Sequence, residues 1–277
     1  RQYIFEDYFA RVGEIIVGEV RQIQRDNIHL FNEQSEMRMP KREQIQSERP
    51  RRGETIRGIV KSVEMTPRGP DIVISRSDNQ FLSKLFEMEV PEIEDGIIVI
   101  TSIARAPGER SKLIVKSTDR RIDAVGACVG MKGARIHGIV RELRNENIDV
   151  INFTENTELY ITRALSPAKI TSLKIEKENK RVSVYLKPDQ VSLAIGKGGQ
   201  NIKLASRLVD LEIDVFRELD GLQEEDVDLE EFSDEIEGWI IDELKRIGLD
   251  TARAVLNIEK DDLLKRSDLE EETVDNV

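Results

Sequence analysis

The chain holds 277 residues, 35% of them charged and 39% hydrophobic, with a formal net charge of -12; so charge-rich a composition fits several small domains better than one large core. A single cysteine, Cys128, excludes an internal disulfide, and with only two histidines, His29 and His137, neither a Cys- or His-built metal site nor a catalytic triad has its raw material. No run approaches the ~18 apolar residues of a membrane span and no secretory leader opens the chain, so a cytoplasmic protein without metal or cofactor is expected.

Residues 13–76 read as a small β domain. Residues 13–20 alternate apolar and polar side chains and break at Arg25-Asp26-Asn27. Residues 28–31 and 36–39 are two more short strands, the second followed by Pro40 and a brief helical turn. Residues 54–63 alternate strictly, and 71–75 close the set after the turn Pro67-Arg68-Gly69-Pro70. Five strands in so short a stretch predict a closed OB-type barrel, because an open sheet of that size would leave unpaired edges.

Next, Phe81, Leu82, Leu85 and Phe86 fall at helical spacing over 79–88. Strands are predicted at 97–104 and 113–116, short helices around 121–128 and 134–143, and a strand at 148–151. The same order then returns: a helix near 157–164, strands at 170–176 and 182–186, helices at 189–194 and 200–208, a strand at 211–216. An offset of 66 sets Gly130-Met131-Lys132-Gly133 over Gly196-Lys197-Gly198-Gly199, with Asp123 on Asp189, Val125 on Val191 and Arg141 on Arg207. One residue of slippage later, Ile148-Asp149-Val150 meets Ile213-Asp214-Val215. The chain therefore carries two copies of one α/β module in tandem. Only Ser166-Pro167 interrupts between them, so little relative motion is expected.

Each module places G-x-x-G between two helices. Glycines without Cβ let a sugar-phosphate chain approach the backbone, and the following helix offers free N–H groups and the positive end of its dipole. This is the loop with which KH domains clamp about four nucleotides of single-stranded RNA. The candidate RNA-binding residues are Gly130, Met131, Lys132, Gly133 and Arg135 in the first module, and Gly196, Lys197, Gly198, Gly199, Gln200, Asn201, Lys203 and Arg207 in the second. Val129, Ile136, Ile195 and Ile202 are either core or the floor of a groove. A nucleotide-triphosphate loop is excluded, since neither copy continues into Gly-Lys-Ser/Thr. In the barrel only Phe31 is a clear strand aromatic; Arg25, His29, Arg38, Lys41 and Arg42 form a possible electrostatic face, leaving spacer and weak RNA binder both open.

Charge is unevenly spread. Residues 221–277 carry 20 acidic and 6 basic side chains, whereas 101–217 carry 21 basic and 14 acidic, so the acidity belongs to the C-terminal segment and the middle can meet phosphates. After the acidic stretch 224–237, Trp239, Ile240, Leu244 and Ile247 followed by Gly248, Ala252, Ala254, Val255 and Leu256 predict two short helices joined at a glycine, with Leu263 and Leu264 starting another. Such a segment is a protein-binding unit, an internal mimic of nucleic acid, or a solvated tail. The boundaries read as 1–77 (barrel), 78–153 and 154–219 (the two modules) and 220–277 (acidic segment). The chain opens at Arg1 in mid-pattern, as a piece of a longer protein would.

The order barrel, module, module, together with Val12-Gly13-Glu14-Ile15-Ile16-Val17-Gly18, Arg68-Gly69-Pro70-Asp71-Ile72-Val73-Ile74-Ser75-Arg76, Val125-Gly126-Ala127-Cys128-Val129-Gly130-Met131-Lys132-Gly133 and Ala194-Ile195-Gly196-Lys197-Gly198-Gly199-Gln200-Asn201-Ile202, resembles the NusA family of bacterial transcription elongation, termination and antitermination factors. The resemblance covers roughly 1–217 and implies an α+β multidomain fold: an S1-motif OB barrel, two type II KH domains and the start of an acidic, helix-hairpin-helix-like region. It further implies a non-enzymatic factor that binds single-stranded RNA and associates with RNA polymerase, largely through a domain preceding Arg1. Other transcription factors would meet the barrel or the tail, and a monomer is expected. The alternative is the KH and S1 RNA-binding accessory portion of an RNA-processing or exoribonuclease system, although the exoribonucleases place KH before the barrel.

Overall fold

The computed structural model describes residues 1–33, 35–218 and 227–276, with the backbone alone for residues 253, 272, 275 and 276. The chain divides into two compact units, residues 1–217 and 218–277. The boundary expected at 219/220 and residues 224–226 of the acidic stretch lie outside the described residues.

The first unit opens with helix α1 (Gln2–Ala10), to which the sequence reading assigned no element. Ile4, Phe5 and Tyr8 recur on one face and close one side of the barrel core, where the Tyr8 hydroxyl donates to Asn32 Oδ1 at 3.2 Å. Strands β1 (Ile15–Ile23), β2 (Asn27–Asn32), β3 (Ser35–Pro40), β4 (Thr55–Thr66) and β5 (Gly69–Ser75) form a closed barrel in the order β1-β2-β3-β5-β4. The period of two in the sequence sends Ile16, Val20, Ile28, Leu30, Met37, Met39, Val60, Val63, Ile72 and Ile74 inward.

Two modules of the same order follow, except that the first has an extra short helix before its hairpin. The first comprises α2 (Asn79–Glu89), α3 (Pro91–Glu94), β6 (Ile98–Ala106), β7 (Arg110–Ser117), α4 (Ala124–Val129), α5 (Ala134–Glu142) and β8 (Asn147–Asn152). The second comprises α6 (Thr157–Ala164), β9 (Ser172–Glu176), β10 (Arg181–Leu186), α7 (Pro188–Ile195), α8 (Gln200–Val209) and β11 (Glu212–Arg217). In each, an antiparallel hairpin gains a third strand in parallel, and the helices cover one face of the sheet. The fold is thus α+β: a five-stranded barrel and two α-β-β-α-α-β modules.

Packing joins these parts. Ile45 and Ile59 of the barrel share a core with Phe81, Phe86 and Leu113 of the first module. Above that core Arg76, 3% exposed, donates to both Glu48 carboxylate oxygens, to Glu142 Oε1 and to the carbonyls of Arg57 and Glu142. A buried guanidinium is tolerated only when its donors are taken up in this way. The second junction rests on α8. Leu204 and Leu208 pack on Ala104, Ile114 and Ile151, the sheet face of the first module left free by its own helices. Beside them the fully buried Lys112 Nζ bridges Asp149 Oδ2 (2.7 Å) and the carbonyl of Ser166 (2.9 Å), tying β7 to the turn after α6 of the second module. Its ammonium is pushed below its ordinary pKa by burial, against the pull of Asp149. Within the first module, Arg105 and Glu146 form a bidentate pair with no exposed side-chain surface (2.8 and 3.0 Å), and Ser111 Oγ and the Gly108 N–H also donate to Glu146.

In the second unit, α9 (Gly238–Arg246) and α10 (Ala252–Leu256) are the two expected helices, separated by a turn at Gly248 with φ +88°. Two further helices, α11 (Lys260–Arg266) and α12 (Glu271–Asn276), complete the segment around Leu229, Ile240, Ile241, Leu244, Leu263 and Leu269. Hydrogen bonds from Arg246 and from the Asp268 N–H draw the Glu243 carboxyl down to about 2. Among the described residues no helix is long and apolar enough to cross a membrane, and no three His, Cys, Asp or Glu side chains gather as a metal site would need.

Leu204 is completely buried at the junction. Leu204→Ala should cost about 2–5 kcal/mol, read as a lower midpoint in urea unfolding. Cys128 is buried in the first core and its thiol is pushed up to about 12, chiefly by burial. It should therefore resist alkylation by iodoacetamide at pH 8 in the folded chain and react freely in denaturant.

Candidate nucleic-acid interface

The two G-x-x-G loops adopt one backbone path. Gly130 (φ +75°, ψ 170°) and Gly196 (φ +74°, ψ 173°) each end a helix in a region of φ/ψ space open essentially to glycine alone. A Cβ there would also collide with the next helix: at Gly196 it would lie 2.7 Å from Asn201 Cβ, and at Gly130 2.9 Å from Arg135 Cγ. The loop thus brings the end of one helix against the start of the next with no side chain between them. Gly133 and Gly199 then turn the chain, in left-handed conformation, into α5 and α8.

Neither of these helices has a side-chain cap, and neither has an acidic residue in its first turn. Two helices of the unit, α2 and α6, do have a side-chain cap: the Asp78 carboxylate accepts from the Gln80 N–H at the start of α2, and Asn156 Oδ1 accepts from the Leu159 N–H at the start of α6. An uncapped N-terminus keeps free donors and an uncompensated positive dipole, which favours an anion. Beside these donors Met131, Lys132, Lys197 and Gly198 are exposed, Met131 at 90%. Lys132 sits at φ +51°, left-handed for a residue with a Cβ, whereas its counterpart Gly198 takes φ +61° without that penalty. The first module thus carries an exposed lysine at a left-handed position where the second has glycine.

The other sequence candidates divide. Lys203 lies next to the second loop, its Nζ 3.4 Å from the Gly198 carbonyl, and Gln200 lines the same edge. Asn201 is fully buried, which corrects the expectation of a direct contact: its Nδ2 donates to the carbonyls of Leu165, Leu193 and Ala194 and clamps the end of α7. Arg135, at the equivalent place, is likewise committed, with Nη1 donating to the Ala127 carbonyl (2.7 Å) and to Glu92 (3.0 Å). These two side chains hold the helix–loop–helix angle, and the sequence gives no sign of it because polar residues next to a loop look like contacts. Arg207 is exposed but seven residues along α8, about 10 Å from the loop. Of the apolar residues beside the loops, Ile195 is 40% exposed, while Val129, Ile136 and Ile202 are half-buried.

A cleft of about 430 Å³ opens between the second loop and the first module, with Lys197, Gly198 and Gln200 on one side and Glu109, Arg110, Asn145 and Asn147 on the other. The second loop therefore faces the first module rather than bulk solvent alone. On the barrel, Arg38 is neutralised by a bidentate pair with Asp71 (2.6 and 2.7 Å), whose carboxyl is held below its usual range mainly by that hydrogen bond. His29 Nδ1 lies 3.0 Å from Glu36 Oε1. Arg25, Lys41 and Arg42 are exposed, with Arg42 3.4 Å from Glu43. Arg38 and His29 are thus less available to an anion than their sequence positions suggested.

Residues 76–153 match the NusA-like first KH domain and residues 157–221 the NusA-like second KH domain. The chain is 40% identical over 215 residues to the transcription termination/antitermination protein NusA of Halalkalibacterium halodurans, covering 78% of this chain and 56% of that protein. The chain belongs to the NusA family. NusA proteins of Thermus thermophilus (38% over 214 residues) and Bacillus subtilis (38% over 221) match 77% and 80% of the chain and 55% and 60% of their own lengths. The chain spans little more than half the length of these curated NusA relatives. Its two modules are NusA-type KH domains, and the paired loops are their G-x-x-G loops.

Lys132→Gly removes both the strain and the charge. It should leave stability unchanged or raise it by up to about 1 kcal/mol while weakening RNA binding; thermal unfolding and fluorescence anisotropy with a labelled oligonucleotide separate the two effects. Asn201→Ala leaves three carbonyls without their shared donor and should cost about 1–3 kcal/mol, measured by urea unfolding.

Proposed function

We propose that this chain is the RNA-binding part of a cytoplasmic NusA-type transcription factor, in which single-stranded RNA lies across both G-x-x-G loops. The reading rests on one observation: two exposed loops, each opening an uncapped helix, are held in one packed frame by α8. Gly130, Met131, Lys132 and Gly133 would cradle one stretch of backbone, and Gly196, Lys197, Gly198, Gly199, Gln200 and Lys203 a second. Lys132 and Lys197 would supply point charges to phosphates, and the N–H groups of α5 and α8 would supply oriented donors. Catalysis has no part in this role: the chain binds, and by binding nascent RNA biases RNA polymerase among elongation, pausing, termination and antitermination. Contact with the polymerase would run largely through parts of the protein outside this chain, and the barrel or the acidic unit would receive other transcription factors. The working form is a monomer.

Fixed spacing between two weak sites raises the effective concentration of the second once the first is filled. An RNA long enough to reach both loops should therefore bind far more tightly than a tetranucleotide. The experiment is anisotropy of single-stranded RNA titrated with the wild-type chain and with Lys132→Ala/Lys197→Ala across a range of salt concentrations. Removal of two phosphate contacts should flatten the slope of log K against log salt by about 1.4 and lower affinity. Unchanged affinity and slope would refute the loop assignment.

A further inference from the structure

The two KH domains meet head to tail. The donor surface is the Leu204–Leu208 stripe of α8; the acceptor is the outer sheet face of the first domain, where Ile114 and Ile151 are paired across β7 and β8. A head-to-tail contact uses two different surfaces and leaves one of each unused at the ends of the array. The donor end is already accounted for: the α5 positions equivalent to Leu204 and Leu208 are Gly138 and Glu142, and Glu142 holds Arg76 at the barrel junction.

Among the described residues the acceptor end keeps its face exposed at Phe216. In the second domain the same sheet register pairs Tyr185 with Phe216 where the first pairs Ile114 with Ile151. The Arg181–Asp214 bidentate pair likewise stands where the first domain has Arg110–Asp149. Val182, Val184 and Leu186 point into the domain's own core, so Tyr185 and Phe216 lie on the opposite face. Their rings stack at 5.4 Å and 25°, and Phe216 is still 44% exposed. Toward the other end of the face a cleft of about 500 Å³ is lined by Glu176, Arg181, Ser183, Glu212 and Asp214. Arg181 is shared between Glu212 (3.6 Å) and Asp214 (3.0 Å), and with Glu176 that end stays net negative even when Lys174, opposite Ser183, is counted.

We propose that this open sheet face of the second KH domain docks an amphipathic α-helix of a partner protein, its apolar residues over Tyr185 and Phe216 and its basic residues over Glu176, Glu212 and Asp214. The precedent is inside the molecule, since the equivalent face of the first domain seats a helix with a Leu-x-x-x-Leu stripe. The carboxylates disfavour a polyanion, and each ring already covers one π-face of the other, removing surface that bases would stack on. The site is distinct from the G-x-x-G loops, so its failure would leave the RNA reading untouched.

The test uses the ¹⁵N-labelled 277-residue chain and, as probe, a peptide of residues 199–210 stapled through positions 202 and 206, opposite the Leu204–Leu208 stripe and leaving Lys203 and Arg207 free. Amide shifts of residues 172–174, 183–185 and 214–216 should change and saturate below about 1 mM peptide. Tyr185→Ser/Phe216→Ser should weaken the binding at least about tenfold; both rings lie outside the core, so the other resonances should stay in place. No shift on this face in the wild type, or equal binding by the double variant, would overturn the proposal. So would a single-stranded RNA decamer that shifts the same amides, since the face would then take nucleic acid instead.

Discussion

One helix with two buried sides governs this molecule. On one side Ala205 packs into the core of the second KH domain and Asn201 clamps the end of α7; on the other Leu204 and Leu208 enter the sheet face of the first domain. Because the same helix starts at Gly199, the position of its N-terminal donors relative to the first domain is fixed by that packing and not by a linker. Burial of two leucines is favourable by about 3–6 kcal/mol before ordering costs are set against it. The bridge from Lys112 to Ser166 and Asp149 adds direction to an otherwise undirected apolar contact.

The charges sort by the same logic. Arg76, Arg105, Arg110 and Lys112 are basic residues that a count of charge would assign to RNA, yet each is tied to a carboxylate within the junctions or the sheet. Of the basic side chains that stay exposed, many lie away from the loops, Arg120, Lys169, Lys177 and Lys187 among them, while Lys132, Lys197 and Lys203 stand where two helices begin without caps. The count of 21 basic side chains over 101–217 thus overstates the free positive charge, and at the loops the backbone donors of α5 and α8 add to what the lysines offer an anion.

Much of this was legible in the sequence. The alternation in residues 13–20, 28–31, 36–39, 54–63 and 71–75 has period two, and it emerges as β1 to β5 with boundaries off by a few residues. The internal repeat was legible because its glycines, which the backbone demands, are spaced alike in both copies. Other features were hidden for identifiable reasons. Helix α1 shows Ile4, Phe5 and Tyr8 at helical spacing, but nine residues at the start of a chain give too short a period to stand out. The docking stripe of α8 was masked by the repeat itself, since alignment with α5 invites the same role for both, while Gly138 and Glu142 in place of Leu204 and Leu208 are the trace of the difference. Asn201 and Arg135 looked like contacts because polarity alone cannot distinguish a donor facing solvent from one satisfying a buried carbonyl.

The fixed geometry of the two loops is the claim on which the rest depends. The most direct measurement is double electron–electron resonance between nitroxides placed at K132C and K197C, feasible with native Cys128 in place because that thiol is buried and neutral. The account predicts one narrow distance distribution that broadens when Leu204→Ala and Leu208→Ala are added together. A broad or multimodal distribution in the otherwise unmodified chain would contradict it.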